Sequence, residues 1–314
     1  MNNPFEFSLD NKRYHTLNYH NRIKFGKKVF KAVIDAGFTC PNKDGSKGRG
    51  GCIFCDGGSG YFTQSALLPV TKQLEDELER IRRKTPDASV IAYFQANTNT
   101  YADVSVLKKI YTPVLSFKEV CGISIGTRGD CLSDEILDFL QWLSEKTYLT
   151  VELGMQSVHE KTIDFIKRGY SHEEFLHGYE NLRKRRIRTC IHIINGLPYE
   201  ASDDMIETAR QTAQLEPEAV KIQLLHVIKG TVLEGLYNEG TFKTMTMEDY
   251  IKTVVSQLEY LPPFTVVERI TGDGDKNKLA APLWSTNKIA VLGGIDKFQA
   301  EKNTWQGKFF QKKT

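Results

Sequence analysis

Cys40-Pro-Asn-Lys-Asp-Gly-Ser-Lys-Gly-Arg-Gly-Gly-Cys52-Ile-Phe-Cys55 sets three cysteines near the start of the chain, and what they bind governs the reading of everything after them. Two thiolates three positions apart can serve one centre, because a tight turn brings both sulfurs to one side. The glycine-rich stretch between them and Cys40 lets the more distant third return to meet them. This pattern favours an iron-sulfur cluster. A ferredoxin cluster usually takes four cysteines, so three close ligands require a remote fourth residue or leave one iron open to another molecule. A structural zinc site wants four closed positions, and no second cysteine pair or spaced histidine pair follows nearby. A redox Cys-x-x-Cys opens a helix after a strand, whereas Cys52-Ile-Phe-Cys55 follows a flexible loop.

The rest of the composition is that of a soluble globular protein: 314 residues, 40% hydrophobic and 26% charged, enough for one large core. No run approaches the roughly 18 apolar residues of a membrane helix. The start, Met1-Asn-Asn-Pro-Phe-Glu-Phe, lacks the basic and apolar regions of a signal peptide. Six cysteines are too sparse for a disulfide scaffold, so the expected compartment is the reducing cytoplasm, where thiols stay available as metal ligands. A formal charge of +3 does not announce a nucleic-acid binder. The run Arg183-Lys-Arg-Arg-Ile-Arg188, between a predicted helix and a predicted strand, reads either as a grip for phosphates or as a solvated helix end that complements the dipole.

After the cysteine loop, strand-like and helix-like runs alternate. Strands are predicted at Val29–Ile34, Ser89–Gln95, Val120–Gly126, Tyr148–Gly154, Thr189–Asn195 and Val220–Val227, each a short β-branched run suited to a covered parallel sheet. Helices are predicted at Thr71–Lys84, Val104–Ser116, Ser133–Ser144, His159–Lys167, Glu173–Arg185 and Ser202–Gln214. Thr71, Ser133 and Ser202 are candidate caps, and Ser171 to Glu174 has capping-box spacing. Six βα units without a Gly-x-Gly-x-x-Gly fingerprint predict an α/β fold, a partial (β/α)6 barrel, rather than a Rossmann sheet. Ligands then collect at the carboxyl ends of the strands, where one polar mouth is expected. The expected organisation is an N-terminal extension (1–28), a barrel core (29–228) with the cluster loop at 40–55, and a C-terminal extension (229–314) that closes the barrel or covers its mouth. Within that extension, Met247–Leu261 is helix-like and Thr265–Ile270 strand-like.

The cysteine triad ahead of a βα series, with Gly154-Met-Gln156-Ser157 and Asn195-Gly196-Leu197-Pro198 at strand ends, resembles the radical S-adenosylmethionine (radical-SAM) superfamily. Within it, residues 14–275 resemble the branch holding the Elongator catalytic subunit and oxygen-independent coproporphyrinogen dehydrogenase, and above all a bacterial set of Elongator-like radical-SAM proteins. The resemblance implies a 4Fe-4S cluster on Cys40, Cys52 and Cys55, with the fourth iron chelated by the amino and carboxylate groups of S-adenosylmethionine. It implies reductive cleavage to a 5′-deoxyadenosyl radical that takes hydrogen from a substrate, driven by an electron donor of flavodoxin or ferredoxin type. The eleven residues between Cys40 and Cys52 depart from the superfamily's usual Cys-x3-Cys-x2-Cys and match the longer loops of the Elongator-like branch. Phe54 fills the aromatic position before the last cysteine.

By the same resemblance, Gln156 matches a contact to the cofactor ribose, and Arg168 matches a residue that binds its carboxylate, a role for which a guanidinium fork is well suited. The alternative for Arg168 is an exposed charge at a helix end. Asn97 to Asn99 stands where many relatives carry Gly-Gly-Glu, whose backbone holds the cofactor amine, and Gln95 and Asn97 are the candidates for that amine here. Arg128 and Asp130 stand where Elongator-like relatives carry Thr-Arg-Pro-Asp, with Gly129 in place of the proline. Glu152 shares a strand face with Gly154 and Gln156, and reads either as an acceptor for cofactor or substrate or as a buried partner of Arg128. Cys121 and Cys190 read as small core residues, Cys131 as a thiol within reach of substrate, and His192 and His226 as satisfied core histidines. The substrate implied is the wobble uridine of transfer RNA. A small molecule, as in the porphyrinogen branch, and a non-catalytic metal-cluster RNA-binding module are the alternatives. An acetyltransferase domain is not expected, nor acetyl transfer on the same polypeptide.

Overall fold

The computed structural model describes residues 3–56, 65–95, 97–272 and 274–312. In chain order the elements are α1 (Leu17–Phe25), β1 (Val29–Ile34), α2 (Val70–Arg82), β2 (Ser89–Phe94), α3 (Val104–Tyr111), β3 (Val120–Thr127), α4 (Asp134–Lys146), β4 (Tyr148–Gln156), α5 (Glu160–Phe165), α6 (His172–Lys184), β5 (Thr189–Asn195), α7 (Ser202–Leu215), β6 (Ala219–Leu224), β7 (Val227–Ile228), α8 (Val232–Asn238), α9 (Met247–Tyr260), β8 (Val266–Arg269), β9 (Leu279–Ala281) and α10 (Lys288–Glu301).

Local chemistry explains most boundaries. Ser133 accepts from the Ile136 N–H to open α4, and Ser171 and Glu174 form the expected capping box on α6. Thr71 and Ser202 do not cap: α2 begins at Val70 behind Pro69, and Ser202 is already helical, while Asp204 accepts from the Ala201 N–H at 2.8 Å. The helix predicted to Ser116 stops at Tyr111 and continues as a 3-10 turn, because Pro113 has no N–H for the ladder.

The strands form one parallel sheet in the order β1-β2-β3-β4-β5-β6-β8, so seven strands stand where six βα units are legible in the sequence. The seventh comes from the strand-like run at 265–270. The run expected to continue to Val227 ends at Leu224, and Val227 pairs instead with Ala281 of β9. β2 is buried along its whole length, as a parallel strand covered on both faces should be. Outside, the helices lay down apolar stripes at helical spacing: Leu74, Leu78 and Ile81 on α2, Leu137, Leu140 and Leu143 on α4, Tyr250, Val254 and Leu258 on α9.

The sheet curls into a half-barrel. Lys31 on the first strand reaches Glu268 on the last at 2.8 Å, across the interior. The chain ahead of α1 lines the open side: the Val267 N–H donates to the His15 carbonyl at 2.8 Å, and α1 touches both β1 and β8. Inward positions alternate with outward ones by the period-two rule, and the inward set is polar: Lys31, Tyr93, Ser124, Glu152, His192, Lys221 and Gln223.

Candidate active site

The loop after β1 doubles back on itself. Lys43 and Asp44 donate to the Cys40 carbonyl at 2.8 and 3.2 Å, and the Gly51 N–H closes onto the Asn42 carbonyl at 2.8 Å, returning the chain beside its start. Cys55 N–H then donates to the Cys52 carbonyl at 2.9 Å, the tight turn that puts both sulfurs on one side. Ile53 anchors the turn, buried in a small apolar cluster and bonded through its N–H to the Ile166 carbonyl at 3.0 Å. The outcome is that Cys40, Cys52 and Cys55 line one cavity of about 340 Å³ at the carboxyl ends of the strands, with Phe54 on the same wall. Burial, then the neighbouring Cys55 and Cys40, push the Cys52 thiol up to about 11, while Arg128 and Asn42 pull the other way. Among the described residues no three His, Cys, Asp or Glu side chains close into the shell of a single metal ion. A cuboidal cluster asks for less convergence, because each thiolate meets a different iron.

All six residues singled out in the sequence for the cofactor line this same cavity: Gln95, Asn97, Arg128, Glu152, Gln156 and Arg168. Arg168 is 1% exposed, which removes the reading of a solvated helix-end charge. Its Nε donates to the Tyr170 carbonyl at 3.0 Å and its Nη1 to the carbonyls of Met155 and Ser157, but its Nη2 is buried with no hydrogen-bond partner among the described residues. An unsatisfied buried guanidinium N–H is a costly feature and a matched site for a carboxylate oxygen. Gln156 sits at φ +61, where β4 slips register against β5, and its amide nitrogen turns back to the Gly154 carbonyl at 2.8 Å. The bare Gly154 gives that amide its place, since a Cβ there would push it aside. Asn97 donates to the Phe38 carbonyl at 2.7 Å and accepts from Lys43, so it braces the cysteine loop.

Arg128 is already committed. It grips Asp130 through Nε and Nη2, both at 2.8 Å, and donates to the Arg168 and Gly169 carbonyls at 3.0 Å. The Tyr170 ring lies against both guanidiniums, 4.4 Å from Arg128 and 4.2 Å from Arg168. Gly129, unlike a proline, lets this turn press on α6: a Cβ there would stand 2.9 Å from Phe175 Cα.

The cavity floor departs from the expectation for Glu152. Its partner is not Arg128. One oxygen accepts from Lys31 at 2.9 Å and Ser124 at 2.6 Å, and the other from His192 at 2.8 Å and from Lys221. Burial works against the charge, but Lys221, Lys31 and His192 outweigh it and hold the carboxyl well below its usual range. Lys221 also donates to the Tyr93 hydroxyl at 3.1 Å, and His192 meets Gln223 at 3.3 Å. Tyr93, Lys221, Gln223 and Arg269 thus join the site without having been singled out in the sequence. The available signal was a lysine centred in an apolar strand, as in Val-Phe-Lys31-Ala-Val-Ile and Ala-Val-Lys221-Ile-Gln-Leu.

Other candidates lie away from the cavity wall. Cys190 is fully buried, Cys121 faces the Val90 carbonyl at 3.4 Å, and Cys131 lies beside Asp130, where burial pushes its thiol up to about 12. His226 packs against Gly272 and Gly274, outside the cavity. The basic run at 183–188 closes α6 and leads into the amino end of β5, the end of the barrel opposite the mouth. Arg185 there is spent on Asp134 and Asp138 at 3.2 and 3.0 Å, and Arg188 turns inward to Glu268 at 3.7 Å. Among the described residues no helix is long and apolar enough to cross a membrane.

Comparison with known proteins agrees with this geometry. Residues 44–212 match the Radical SAM superfamily and residues 217–299 the Radical_SAM C-terminal domain. The chain is 48% identical over 313 residues to YtqA of Bacillus subtilis (strain 168), covering 99% of this chain and 97% of that protein. It is 26% identical over 284 residues to the tRNA uridine(34) acetyltransferase of Methanocaldococcus jannaschii, covering 77% of this chain but only 50% of that protein. In fold it is similar to the archaeal Elp3 of Methanocaldococcus infernus, with a TM-score of 0.65 at 17% identity, over 88% of this chain and 64% of that one. The chain belongs to the radical SAM superfamily, whose enzymes work with a 4Fe-4S cluster and S-adenosylmethionine.

Proposed function

We propose that Cys40, Cys52 and Cys55 hold the 4Fe-4S cluster, and that Arg168 receives the carboxylate of S-adenosylmethionine bound to the open iron. The observation that carries this is the meeting of three thiols and one orphaned, buried guanidinium N–H on a single cavity. Soft thiolates suit iron, and a cationic centre offsets the burial that keeps Cys52 protonated in its absence. When bound, the two groups supply one-electron cleavage of the sulfonium, the radical chemistry of the superfamily. The chain's own part is positional. Gln156 is fixed over Gly154 to face the ribose, Gln95 and Asn97 edge the amine side, and the Glu152 network sets a rigid polar floor for the substrate. The reductant is a flavodoxin or ferredoxin type protein of the cytoplasm.

The substrate is the wobble uridine of transfer RNA. Supporting this are the tRNA uridine(34) acetyltransferase and Elp3 relatives, and an exposed aromatic near the mouth. Tyr199, 58% exposed on the loop after β5, stacks edge-on to Phe165 and has Lys161 Nζ 4.8 Å from its ring centre, a surface suited to an unstacked base beside phosphate. The test is anaerobic reconstitution with iron and sulfide, dithionite reduction, and assay of 5′-deoxyadenosine with and without transfer RNA. Formation in the wild type and its loss in Cys52→Ala, with the fold intact by circular dichroism, supports the ligand assignment; equal formation in the variant sinks it. Mass analysis of the digested RNA for a changed uridine then decides the substrate.

A further inference from the structure

Asn42 lies inside the cluster loop and is 4% exposed. Its amide nitrogen donates to the carbonyl of Lys167 at 2.6 Å and that of Arg168 at 3.3 Å, and stands 3.7 Å from Cys52 Sγ. The amide oxygen fills the space that two glycines leave, since a Cβ at Gly48 or at Gly169 would collide with Oδ1, and the two carbonyls set the nitrogen on the other side. Arg128 repeats the pattern on the next ligand. Its Nη1 stands 3.8 Å from Cys40 Sγ and 3.0 Å from the same Arg168 carbonyl. A strap between the two loops needs only the carbonyl contacts. The same NH2 group, with two hydrogens for three acceptors, also stands against a sulfur, where thiolate charge gathers, and a donor meeting an ionised acceptor is about twice as strong as a neutral pair.

We propose that Asn42 is a positioning residue for the cluster: its amide N–H donates to the ligating sulfur of Cys52, raises the cluster's reduction potential, and fixes the loop bearing Arg168 against that sulfur. This rests on the reading of Cys52 as a ligand. Reduction places one more electron on iron and sulfur, and hydrogen bonds to the sulfurs stabilise that state, so they move the potential upward. Loss of the donor therefore moves the midpoint to a more negative value. Arg128 acts in the same sense on Cys40 and stays in place when Asn42 is altered.

The experiment is an EPR-monitored redox titration of the reconstituted wild type, Asn42→Ala and Gly48→Ala, each normalised to iron and sulfide content. Asn42→Ala removes the donor. Gly48→Ala keeps it but pushes it out of its slot, and Gly48 lies outside the left-handed region, so the backbone accepts alanine. Both variants are expected to titrate at a more negative midpoint than wild type. An unchanged midpoint in Asn42→Ala at full cluster occupancy overturns the proposal. Two folded variants that take up no cluster overturn it as well, because Asn42 would then build the site rather than tune it. A wild-type protein that takes up no cluster overturns the assignment of Cys52 itself, and is told apart by that control.

Discussion

Replacing Glu152 by glutamine isolates the energetics of the barrel floor. Glu152 is fully buried and shared by two lysines, Lys31 at 2.9 Å and Lys221. In Glu152→Gln, Lys31 keeps Glu268 at 2.8 Å, whereas Lys221 keeps only a neutral contact, the Tyr93 hydroxyl at 3.1 Å, beside the new amide among the described residues. A unit charge pair at about 4 Å in an effective dielectric of about 20 is worth about 4 kcal/mol. Removing one partner of a buried pair costs about 3–5 kcal/mol, because the other charge stays desolvated. The expected loss is therefore about 3–5 kcal/mol, or a Tm lower by about 6–10 °C at roughly 2 °C per kcal/mol for a chain of this size. Urea unfolding at pH 7, followed by far-UV circular dichroism, reads it. Glu152→Gln with Lys221→Met removes the stranded charge and should recover about 2 kcal/mol of that loss. A single-variant cost below about 1 kcal/mol, or a double variant no better than the sum of its parts, would refute the picture of a dry, charge-paired floor.

Arg168→Lys keeps the charge but loses the fork, so S-adenosylmethionine binding measured by anaerobic calorimetry should weaken by about 10–100-fold at unchanged cluster content, and an equal affinity would remove the carboxylate role. Burial, foremost, holds His20 and His226 down near 4, against an ordinary 6.5. Their folded values lie below the unfolded one, so their stabilising contribution is complete above about pH 6.5 and is lost as pH falls toward 4. Tm should decline from pH 7 to pH 5, and His20→Gln with His226→Leu should flatten that decline; an unchanged slope would show that other groups carry it. Arg183→Glu with Arg186→Glu should leave the affinity for a transfer-RNA anticodon stem-loop unchanged at low salt, since both residues lie at the end of the barrel away from the mouth. A marked loss in a filter-binding titration would move the RNA path to that end.

The six βα units are legible because their signal is local: a β-branched run, a turn, a capped amphipathic helix. β8 breaks the rhythm, since α8 and α9 come before it, and its four residues Val266–Arg269 carry too little pattern to be counted among the barrel strands. Arg168 is ambiguous in sequence for a similar reason. Ile-Lys-Arg-Gly-Tyr reads as a frayed helix end, yet Lys167 at φ +52 and Gly169 at φ +77 turn the chain so that the arginine folds under β4. Lys31 and Lys221 could be placed on an inward face by alternation alone, but no local rule pairs them with their carboxylates. In a flat sheet, Lys31 and Glu268 would stand six strand spacings apart, about 29 Å at roughly 4.8 Å per step. The observed 2.8 Å exists only because the sheet curls, and the buried charges in turn require that curl, since a lysine facing an apolar interior with no carboxylate would not remain there. Lys31, which ties the two edges of the sheet through Glu268, also holds Glu152 on the cavity wall at 2.9 Å, so the ion-pair network of the curl runs directly into the floor of the site.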